Sequence, residues 1–367
     1  MSNEAKINLI GGSAYSSTGG IQAMNRLLVR ELAASGVLRQ AHFLWDDVGT
    51  ASDDGRIARE QGLVRFYGLS RVAFAARVVL QAIRQPRDLW LCTHVNYAAL
   101  CLMVNCGCSR RVGVMLHAAE LDEHLTPIKR LALRRAGFVV AVSEFTKRKA
   151  IALGVSPSRI HVLPNGVEDP CPQWREAAAK EDKQPRIYFV GRMDERYKGQ
   201  MELLDAVKLL RTRWPGLRLI FVGGGASLED WKAEAARRGL ADLVDFAGRM
   251  SDEELRKAYA SATVFAMPSE NEGFGLVYAE AMAFGIPCIG SDRDAAREVI
   301  AQGETGFCVP AGNSTAVADA IHGLLNSPPK RAAMAVASRR RFLEFFASDK
   351  YRGRLAITMG QWLASCG

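Results

Sequence analysis

The sequence predicts an α/β protein with two doubly wound domains, each a parallel sheet covered by helices on both faces. Its 367 residues suit two domains better than one. Short apolar runs alternate with amphipathic stretches, which is typical of strands separated by helices. The alternation stops at residues 166–184, which carry prolines and charges without an apolar period, and then begins again.

The first domain is predicted to contain five strands, at 6–12, 88–95, 111–118, 138–143 and 159–166. Helices are predicted at 18–36, 70–84, 97–106, 125–136 and 144–154. In the first helix, apolar residues recur at helical spacing and Gly36 marks the stop.

The second domain is predicted to contain strands at 186–192, 217–225, 243–249, 262–269 and 286–292. Its helices are predicted at 199–213, 227–239, 252–261, 276–284 and 314–325, and the stretch 328–364 is helical with a break near Ser348. We therefore expect a first domain of residues 1–165 plus about 346–367, a linker at 166–184, and a second domain at 185–345.

Composition bounds the class of protein. With 49% hydrophobic and 24% charged residues, the chain is an ordinary globular protein. No apolar run is long enough to span a bilayer, and no secretory signal is evident at the start. The eight cysteines form no C-x-x-C pair, so we expect no zinc site, reduced thiols and a cytoplasmic location.

The net charge of +9 lies entirely in the first half of the sequence. Residues 1–165 hold 21 Lys and Arg against 12 Asp and Glu, whereas residues 166–367 hold 27 of each. The basic half suggests an anionic partner: phospholipid, a lipid-linked phosphate or nucleic acid.

The most informative segment is PSENEGFGLVYAEAMAFGIPCIGSD, residues 268–292. Gly273 and Gly275 let backbone N–H groups approach a ligand, and a helix starting near Leu276 directs its N-terminus at an anion. Glu272 lies in the loop, and Glu280 lies about two turns into the helix among apolar residues, where a carboxylate needs a partner.

This segment resembles the donor-site signature of the family 4 retaining glycosyltransferases, in which two glutamates are separated by seven residues. The resemblance implies the GT-B fold: two Rossmann-like domains facing across a cleft, with the C-terminal helix crossing back to the first domain. It implies that Glu272 holds the sugar and Glu280 the ribose of a nucleotide sugar. The alternative is an ordinary loop acid at 272 and a buried arginine pairing with Glu280. The donor-binding residues implied here also include Gly273, Phe274, Gly275, Leu276 and Val277.

A second motif is VGRMDERYKG, residues 190–199, where a strand runs into a loop with Arg192 and Lys198. Two cations on one loop can grip both phosphates of a nucleotide sugar. In similar proteins this pair stabilises the leaving diphosphate without a metal. The alternative is two solvated surface cations.

Weaker candidates follow other predicted strands. In the first domain, Gly19 and Gly20 resemble the family's loop over the donor, although the loop lacks G-x-G-x-x-G. His117 resembles the histidine that contacts the transferred sugar, with Glu120 and Ser143 as acceptor candidates and Asn165 lining the cleft or hinge. A lone histidine is also commonly structural. The second domain adds the donor-binding candidates Gly223, Gly224, Arg249 and Met250.

The resemblance therefore implies a retaining, metal-independent hexosyltransferase with no cofactor. The donor would be a UDP- or GDP-sugar, and the acceptor a lipid-linked or polysaccharide precursor in bacterial cell-surface glycan synthesis. A small-molecule acceptor is the alternative. A metal-dependent enzyme would need a D-x-D pair, for which Asp292-Arg293-Asp294 is the candidate, in an unusually charged segment for the family.

The basic first domain permits two further readings. Cations interleaved with apolar residues at 70–84 and 125–149 could rest on an anionic membrane, or form a solvated face. A nucleic-acid-binding role is not expected, because no recognised module is present and aromatic residues are not interleaved with the cations. A nicotinamide enzyme or epimerase is disfavoured by the missing glycine fingerprint.

Overall fold

The computed structural model describes residues 5–16, 19–47, 51–104, 108–121, 125–173 and 184–366. The chain forms two compact units: Met1–Gly166 with Tyr351–Gly367, and Val167–Lys350. Most of the predicted linker, residues 174–183, lies outside the described residues. The segments 167–173 and 346–350 belong to the second unit, because the Val167 N–H donates to the Phe346 carbonyl (2.8 Å) and Asp169 pairs with Arg339 (2.6 Å).

In the first unit, a seven-stranded parallel sheet has the order β3-β2-β1-β4-β5-β6-β7. Helices alternate with its strands as the apolar pattern predicts. The elements are β1 (Ile7–Gly11), α1 (Gly20–Ala34), β2 (Leu38–Phe43), α2 (Asp53–Glu60), β3 (Val64–Phe66), α3 (Arg71–Arg84), β4 (Leu89–Cys92), α4 (Ala98–Val104), β5 (Val112–Leu116), α5 (Pro127–Arg135), β6 (Phe138–Ala141), α6 (Glu144–Ala152) and β7 (Ile160–Val162).

Strands β2 and β3 and helix α2 were not predicted. The reason is visible in β2, where polar residues interrupt the apolar run yet are buried. His42 is fully buried, with its Nδ1 2.8 Å from the Tyr67 hydroxyl. Burial, aided by Arg77 and Arg65, lowers the pKa of His42 to about 3, so this strand contains a neutral histidine.

In the second unit, a six-stranded parallel sheet has the order β10-β9-β8-β11-β12-β13. Strand β13 was not predicted, since it is short and opens with a glycine. The elements are β8 (Arg186–Val190), α7 (Gln200–Leu210), β9 (Arg218–Val222), α8 (Leu228–Arg237), β10 (Val244–Gly248), α9 (Asp252–Ala260), β11 (Val264–Ala266), α10 (Leu276–Ala283), β12 (Cys288–Ser291), α11 (Ala296–Val299), β13 (Gly306–Val309), α12 (Ser314–Leu325) and α13 (Pro328–Arg341). The last helix, α14 (Ser348–Cys366), begins in the second unit and lies mostly in the first.

Both sheets reverse their strand order at one point. In the first unit the reversal lies between β1 and β4, and in the second between β8 and β11. The loops after these two strands run to opposite faces of a doubly wound sheet and leave a crevice at its carboxyl edge. The loops after β8 and β11 are therefore the place to look for a ligand site in the second unit.

The last helix, α14, returns to the first unit from Tyr351 onward. Trp362 is buried, its ring stacks on Phe138 at 4.9 Å, and its Nε1 donates to the Arg110 carbonyl (2.9 Å). A Cβ at Gly113 of β5 would lie 2.7 Å from the Trp362 ring, so this glycine makes room for the indole. Within the described residues, no helix is both long and apolar enough to span a membrane.

We expect Trp362→Ala to destabilise the first unit by about 3–5 kcal/mol, because it leaves a cavity over β5 and β6. Ile357→Ala is the matched control, since Ile357 lies on the same helix but is 64% exposed and should cost little. Denaturant unfolding, followed by circular dichroism, measures both. Equal losses for the two variants would show that α14 does not depend on the Trp362 pocket.

Candidate active site

Two loops meet at the strand-order reversal of the second unit. One follows β8 and the other follows β11. The Glu270 N–H donates to the Tyr197 carbonyl at 2.8 Å, which ties the loops together. Gly199 lies beside Pro268 with φ of 87°, and a Cβ there would be 2.5 Å from the Pro268 carbonyl oxygen. Only glycine permits both this backbone conformation and this close approach.

Lys198 lies between two acids in this crevice. Its Nζ is 3.1 Å from the Glu195 carboxylate and 3.2 Å from the Glu272 carboxylate, and its side chain is 15% exposed. Burial acts to lower the pKa of Lys198, but Glu272 and Glu195 outweigh it and hold the pKa above its usual value. Lys198 is therefore cationic at all physiological pH values.

Arg192 lies on the same loop with a different environment. Its side chain is 72% exposed, and its guanidinium is 3.7 Å from Glu195. Glu195 therefore contacts both predicted cations, although sequence reasoning did not select it. Its spacing of three residues from each of them is the pattern that could have revealed it.

Asp294 holds the Glu272 loop in place through hydrogen bonds. This buried carboxylate accepts hydrogen bonds from the Glu272 N–H (2.9 Å), the Ala296 N–H (2.9 Å) and the Ser269 hydroxyl. Burial raises the pKa of Asp294 to about 6. The three hydrogen-bond donors oppose this rise, and the negative charge of Glu272 adds to it. The Oδ2 atom of Asp294 thus positions the loop through Glu272 and Ser269, and its Oδ1 accepts from Ala296 in its own segment.

The glycines of this loop set up the start of α10. Gly275 precedes the helix in the left-handed conformation (φ 83°), and a Cβ there would collide with the Tyr278 ring. Phe274 is buried against Phe346, with ring centroids 5.8 Å apart. Gly273 is buried, and Leu276 and Val277 are partly exposed at the helix start. The start of α10 therefore follows closely after Glu272, the residue that contacts Lys198, with Gly273 and Gly275 between them.

Glu280 opens the second turn of α10 and contacts a tyrosine. The Tyr259 hydroxyl donates to its carboxylate at 2.9 Å. Burial raises the pKa of Glu280, and the hydrogen bond from Tyr259 lowers it by less. Among the described residues no arginine pairs with Glu280, so the alternative of a buried Arg–Glu pair is not what the structure contains.

The remaining second-unit candidates follow β9 and β10. Gly223 lies against the backbone of Gly191, whose carbonyl oxygen would be 1.8 Å from a Cβ at 223. A Cβ at Gly224 would be 2.9 Å from the Arg249 side chain, which is itself exposed, and Met250 is partly exposed. Gly223 therefore has a structural reason to be glycine, whether or not a ligand approaches it.

In the first unit, the loop after β1 is fixed by Asp46. This fully buried carboxylate accepts from the Ser13 hydroxyl and from the N–H groups of Ala14 (2.9 Å), Tyr15 (3.0 Å) and Ser16 (3.0 Å). Those N–H groups are occupied by protein. Ser17 and Thr18 of the predicted loop lie outside the described residues. Gly19 and Gly20 are exposed, where Gly19 precedes α1.

His117 lies just after β5 and contacts its own loop and the end of the neighbouring strand β4. Its backbone N–H donates to the Glu120 carboxylate (2.7 Å), and its ring Nε2 is 3.1 Å from the Thr93 carbonyl oxygen. The adjacent His94 was not selected from the sequence. Burial lowers the pKa of His94, with Glu120 opposing and His117 adding to the shift. The structure thus brings His117 and Glu120 together and adds His94.

The other two first-unit candidates have visible structural contacts. The Ser143 hydroxyl is buried and accepts from the Thr146 N–H (3.0 Å), so it caps α6. Asn165 is buried, and its Oδ1 has no hydrogen-bond partner in the described structure. An orphaned buried oxygen of this kind marks a position where an additional donor would be favourable.

The structure contains two Rossmann-like domains. In the second, Lys198, Arg192 and the N-terminus of α10 lie in the loops after β8 and β11. Comparison with known proteins then assigns the family. Residues 171–341 match the family described as "Glycosyl transferases group 1", and residues 18–169 match "Glycosyltransferase Family 4".

A relative from Mycolicibacterium smegmatis, the GDP-mannose-dependent alpha-(1-6)-phosphatidylinositol monomannoside mannosyltransferase, is 35% identical over 268 residues, covering 68% of this chain and 69% of that protein. Sucrose-phosphate synthase from Thermosynechococcus elongatus has a similar structure (TM-score 0.79, 21% identity, 99% of this chain and 100% of that one). Anabaena HepE in complex with UDP and glucose is also similar (TM-score 0.76, 22% identity, 98% and 100%).

The chain belongs to the family 4 glycosyltransferases and has the GT-B fold of two Rossmann-like domains. It is therefore a glycosyltransferase. The predicted family and fold class are confirmed. The individual site residues stay predictions, for which the contacts above give a physical setting.

We expect Gly199→Ala to destabilise the second unit more than Gly239→Ala does. Both glycines have positive φ, so both variants carry about 1–2 kcal/mol of backbone strain. Only at position 199 does the new Cβ also meet the Pro268 carbonyl, which adds about 1–3 kcal/mol of overpacking. Denaturant unfolding of the two variants measures the difference. An equal cost would mean that the two loops separate freely.

We expect Glu280→Gln to raise the free energy of unfolding at pH 7. The folded-state pKa of Glu280 lies above its unfolded value, so stability from its protonation is present at acidic pH and lost as pH rises through the folded pKa. Glutamine carries no charge, so the variant does not lose stability as pH rises through that pKa. Unfolding at pH 7 and pH 4 tests this, with the solvent-exposed Glu253→Gln as control. A gain that persists undiminished at pH 4 would contradict it.

Proposed function

We propose that this chain is a retaining, metal-independent hexosyltransferase that moves a mannose- or glucose-type residue from a nucleotide sugar to a lipid-linked acceptor. The observation that carries this proposal is Lys198, held cationic between Glu195 and Glu272 where the loops after β8 and β11 meet. The Lys198 ammonium can bind the pyrophosphate of a nucleotide sugar, and the neighbouring carboxylate can accept hydrogen bonds from the sugar hydroxyls.

The Mycolicibacterium smegmatis relative supports the choice of substrates. Its name gives GDP-mannose as donor and a phosphatidylinositol mannoside as acceptor. We infer that this chain also takes a GDP- or UDP-hexose, with GDP-mannose the first donor to test. The inferred acceptor is a lipid-linked or polysaccharide-precursor glycan in the synthesis of bacterial cell-surface polysaccharide or lipopolysaccharide. A soluble enzyme with a small-molecule acceptor is the alternative.

In this mechanism the protein stabilises the leaving diphosphate. Glycosyl transfer passes through an oxocarbenium-like state, in which negative charge develops on the departing phosphate. Lys198, Arg192 and the N-terminus of α10 would meet that charge, and one such preorganised donor is worth about 3–4 kcal/mol. Glu272 would orient the sugar hydroxyls and Glu280 the ribose. The departing phosphate would take the acceptor's proton, which requires no side-chain base.

Metal independence has a separate structural argument. The D-x-D candidate is Asp292-Arg293-Asp294, yet Asp294 Oδ2 accepts the hydrogen bonds of the Glu272 N–H and the Ser269 hydroxyl, and its Oδ1 accepts from the Ala296 N–H. The Asp292 carboxylate accepts from the Ala311 N–H at 3.3 Å. Recruiting Asp294 to a cation would compete with the hydrogen bonds that hold the Glu272 loop. Neutralisation of the diphosphate by Lys198 and Arg192 involves no such competition.

The proposed place of action is the cytoplasmic face of a membrane. A lipid-linked acceptor is confined to the bilayer, and the first unit carries a net positive charge, with 23 Lys and Arg against 12 Asp and Glu. Anionic headgroups attract juxtamembrane cations. We therefore propose peripheral association through the first unit.

We expect Lys198→Ala to lower turnover by about 10²–10³-fold, because it removes one preorganised cation from the leaving group. Release of GDP or UDP from a panel of sugar nucleotides in the presence of extracted lipid acceptor measures this. Lys208→Ala is the matched control, since Lys208 is exposed on the outer side of α7 and should retain wild-type turnover.

Three results would contradict the proposal. Wild-type turnover in the Lys198 variant would remove this residue from the site. Loss of activity in EDTA that added divalent cation restores would refute metal independence. An inverted anomeric configuration in the product, seen by NMR, would refute retention.

A further inference from the structure

Three neighbouring helices of the first unit share an unusual surface. Helix α4 packs between α3 and α5, so the outward sides of the three helices form one continuous surface, called here the α3–α5 face. The three helices contain three arginines in α3 and four Lys and Arg in α5, and no Asp or Glu in any of them. Asp122 and Glu123, before α5, lie outside the described residues.

Helix α3 is apolar on both of its sides. Phe74, Val78 and Ala82 are buried against the sheet. On the other side, Val72 is 82% exposed and Ile83 is 71% exposed. An ordinary surface helix has one apolar stripe and one polar side. The second, outward stripe of α3, which also contains Ala76, Val79 and Leu80, therefore serves no purpose in the core of this unit.

The neighbouring helices extend this stripe. Met103 of α4 is 70% exposed, and on α5 Ile128 is 70% and Leu131 50% exposed. Among the described residues of the first unit, most of the large exposed apolar side chains lie on this face or immediately before it. Leu69, just before α3, is one of them, and it keeps a left-handed backbone (φ 71°), which is unfavourable for a non-glycine residue.

Cations surround the apolar side chains. Arg71 and Arg84 stand at the two ends of α3, and Arg135 ends α5, all three exposed. Apolar side chains that can enter the acyl boundary, ringed by cations that meet headgroups, are what an interfacial surface requires. The absence of any acid on these helices matches an anionic partner and disfavours a protein surface of mixed charge.

We propose that the α3–α5 face docks on a bilayer with anionic headgroups, with the outward stripe of α3 inserted at the acyl boundary. The inference deepens the proposed function, since it states which surface brings the enzyme to a lipid-linked acceptor. Binding to lipid, however, is measurable without any sugar donor. Each exposed cation near the surface adds to the binding free energy independently of the donor site in the second unit.

The test is flotation of the full chain with vesicles of phosphatidylcholine alone or mixed with phosphatidylglycerol, across a salt series. The wild type should bind the mixed vesicles and release as salt rises. The triple variant Arg71→Gln, Arg84→Gln, Arg135→Gln should bind about a hundredfold more weakly. Its control, Arg59→Gln, Arg213→Gln, Arg256→Gln, loses the same charge from exposed positions elsewhere and should bind within about twofold of wild type.

A second pair of variants tests the apolar stripe. Val72→Ser, Ile83→Ser, Ile128→Ser should lose about tenfold or more in binding. Its control is Ile57→Ser, Leu209→Ser, Ile357→Ser, which removes exposed apolar side chains from other helices and should retain binding. Circular dichroism and calorimetric GDP binding verify that each variant is folded.

The outcomes separate this inference from the proposed function. Equal binding to both vesicle types, or equal losses in a variant and its control, would overturn the docking surface. A change of oligomeric state in the serine variant with unchanged vesicle binding would overturn it too, and assign the face to a second copy of the chain. Loss of vesicle binding with GDP binding retained supports it. Vesicle binding without any sugar-nucleotide turnover would keep the docking surface and refute the proposed function.

Discussion

The site depends on one charge held in a confined place: the ammonium group of Lys198 between the carboxylates of Glu195 and Glu272. Removing a lysine from water costs several kcal/mol, and only close opposite charges repay that cost. Two acids around one cation leave the cluster with an excess negative charge, which Arg192, mostly in solvent, partly balances. Because the three groups come from two loops, the cluster also fixes the distance between those loops.

Buried carboxylates prepare the loops of both units in the same way. Asp294 accepts the Glu272 and Ala296 N–H groups in the second unit, and Asp46 accepts the N–H groups of residues 14–16 in the first. A loop with free N–H groups would be solvated and mobile, whereas one bonded to a buried anion keeps a single shape. Each of these two loops therefore depends on a buried acid for its shape.

The two units divide the physical tasks. The second unit, Val167–Lys350, holds 25 Lys and Arg against 27 Asp and Glu, and it places Lys198 between two acids at the strand-order reversal. The first unit holds 23 Lys and Arg against 12 Asp and Glu, and it presents apolar side chains on helices α3 and α5, which lack acids. The second unit thus has features that suit a small anion, and the first unit has a cationic, partly apolar surface that suits an extended anionic partner.

The sequence by itself determined the alternation of strands and helices, the family, and the motif residues Arg192, Lys198, Glu272 and Glu280. Each of these is readable because the pattern lies within a short contiguous stretch, where spacing reports local geometry. Tertiary structure alone decided which groups those residues contact: Glu195 on Lys198, Tyr259 on Glu280 and Asp294 under Glu272. It also decided that β2 is a strand, because a buried polar residue such as His42 is stable only beside a hydrogen-bond partner brought by the fold.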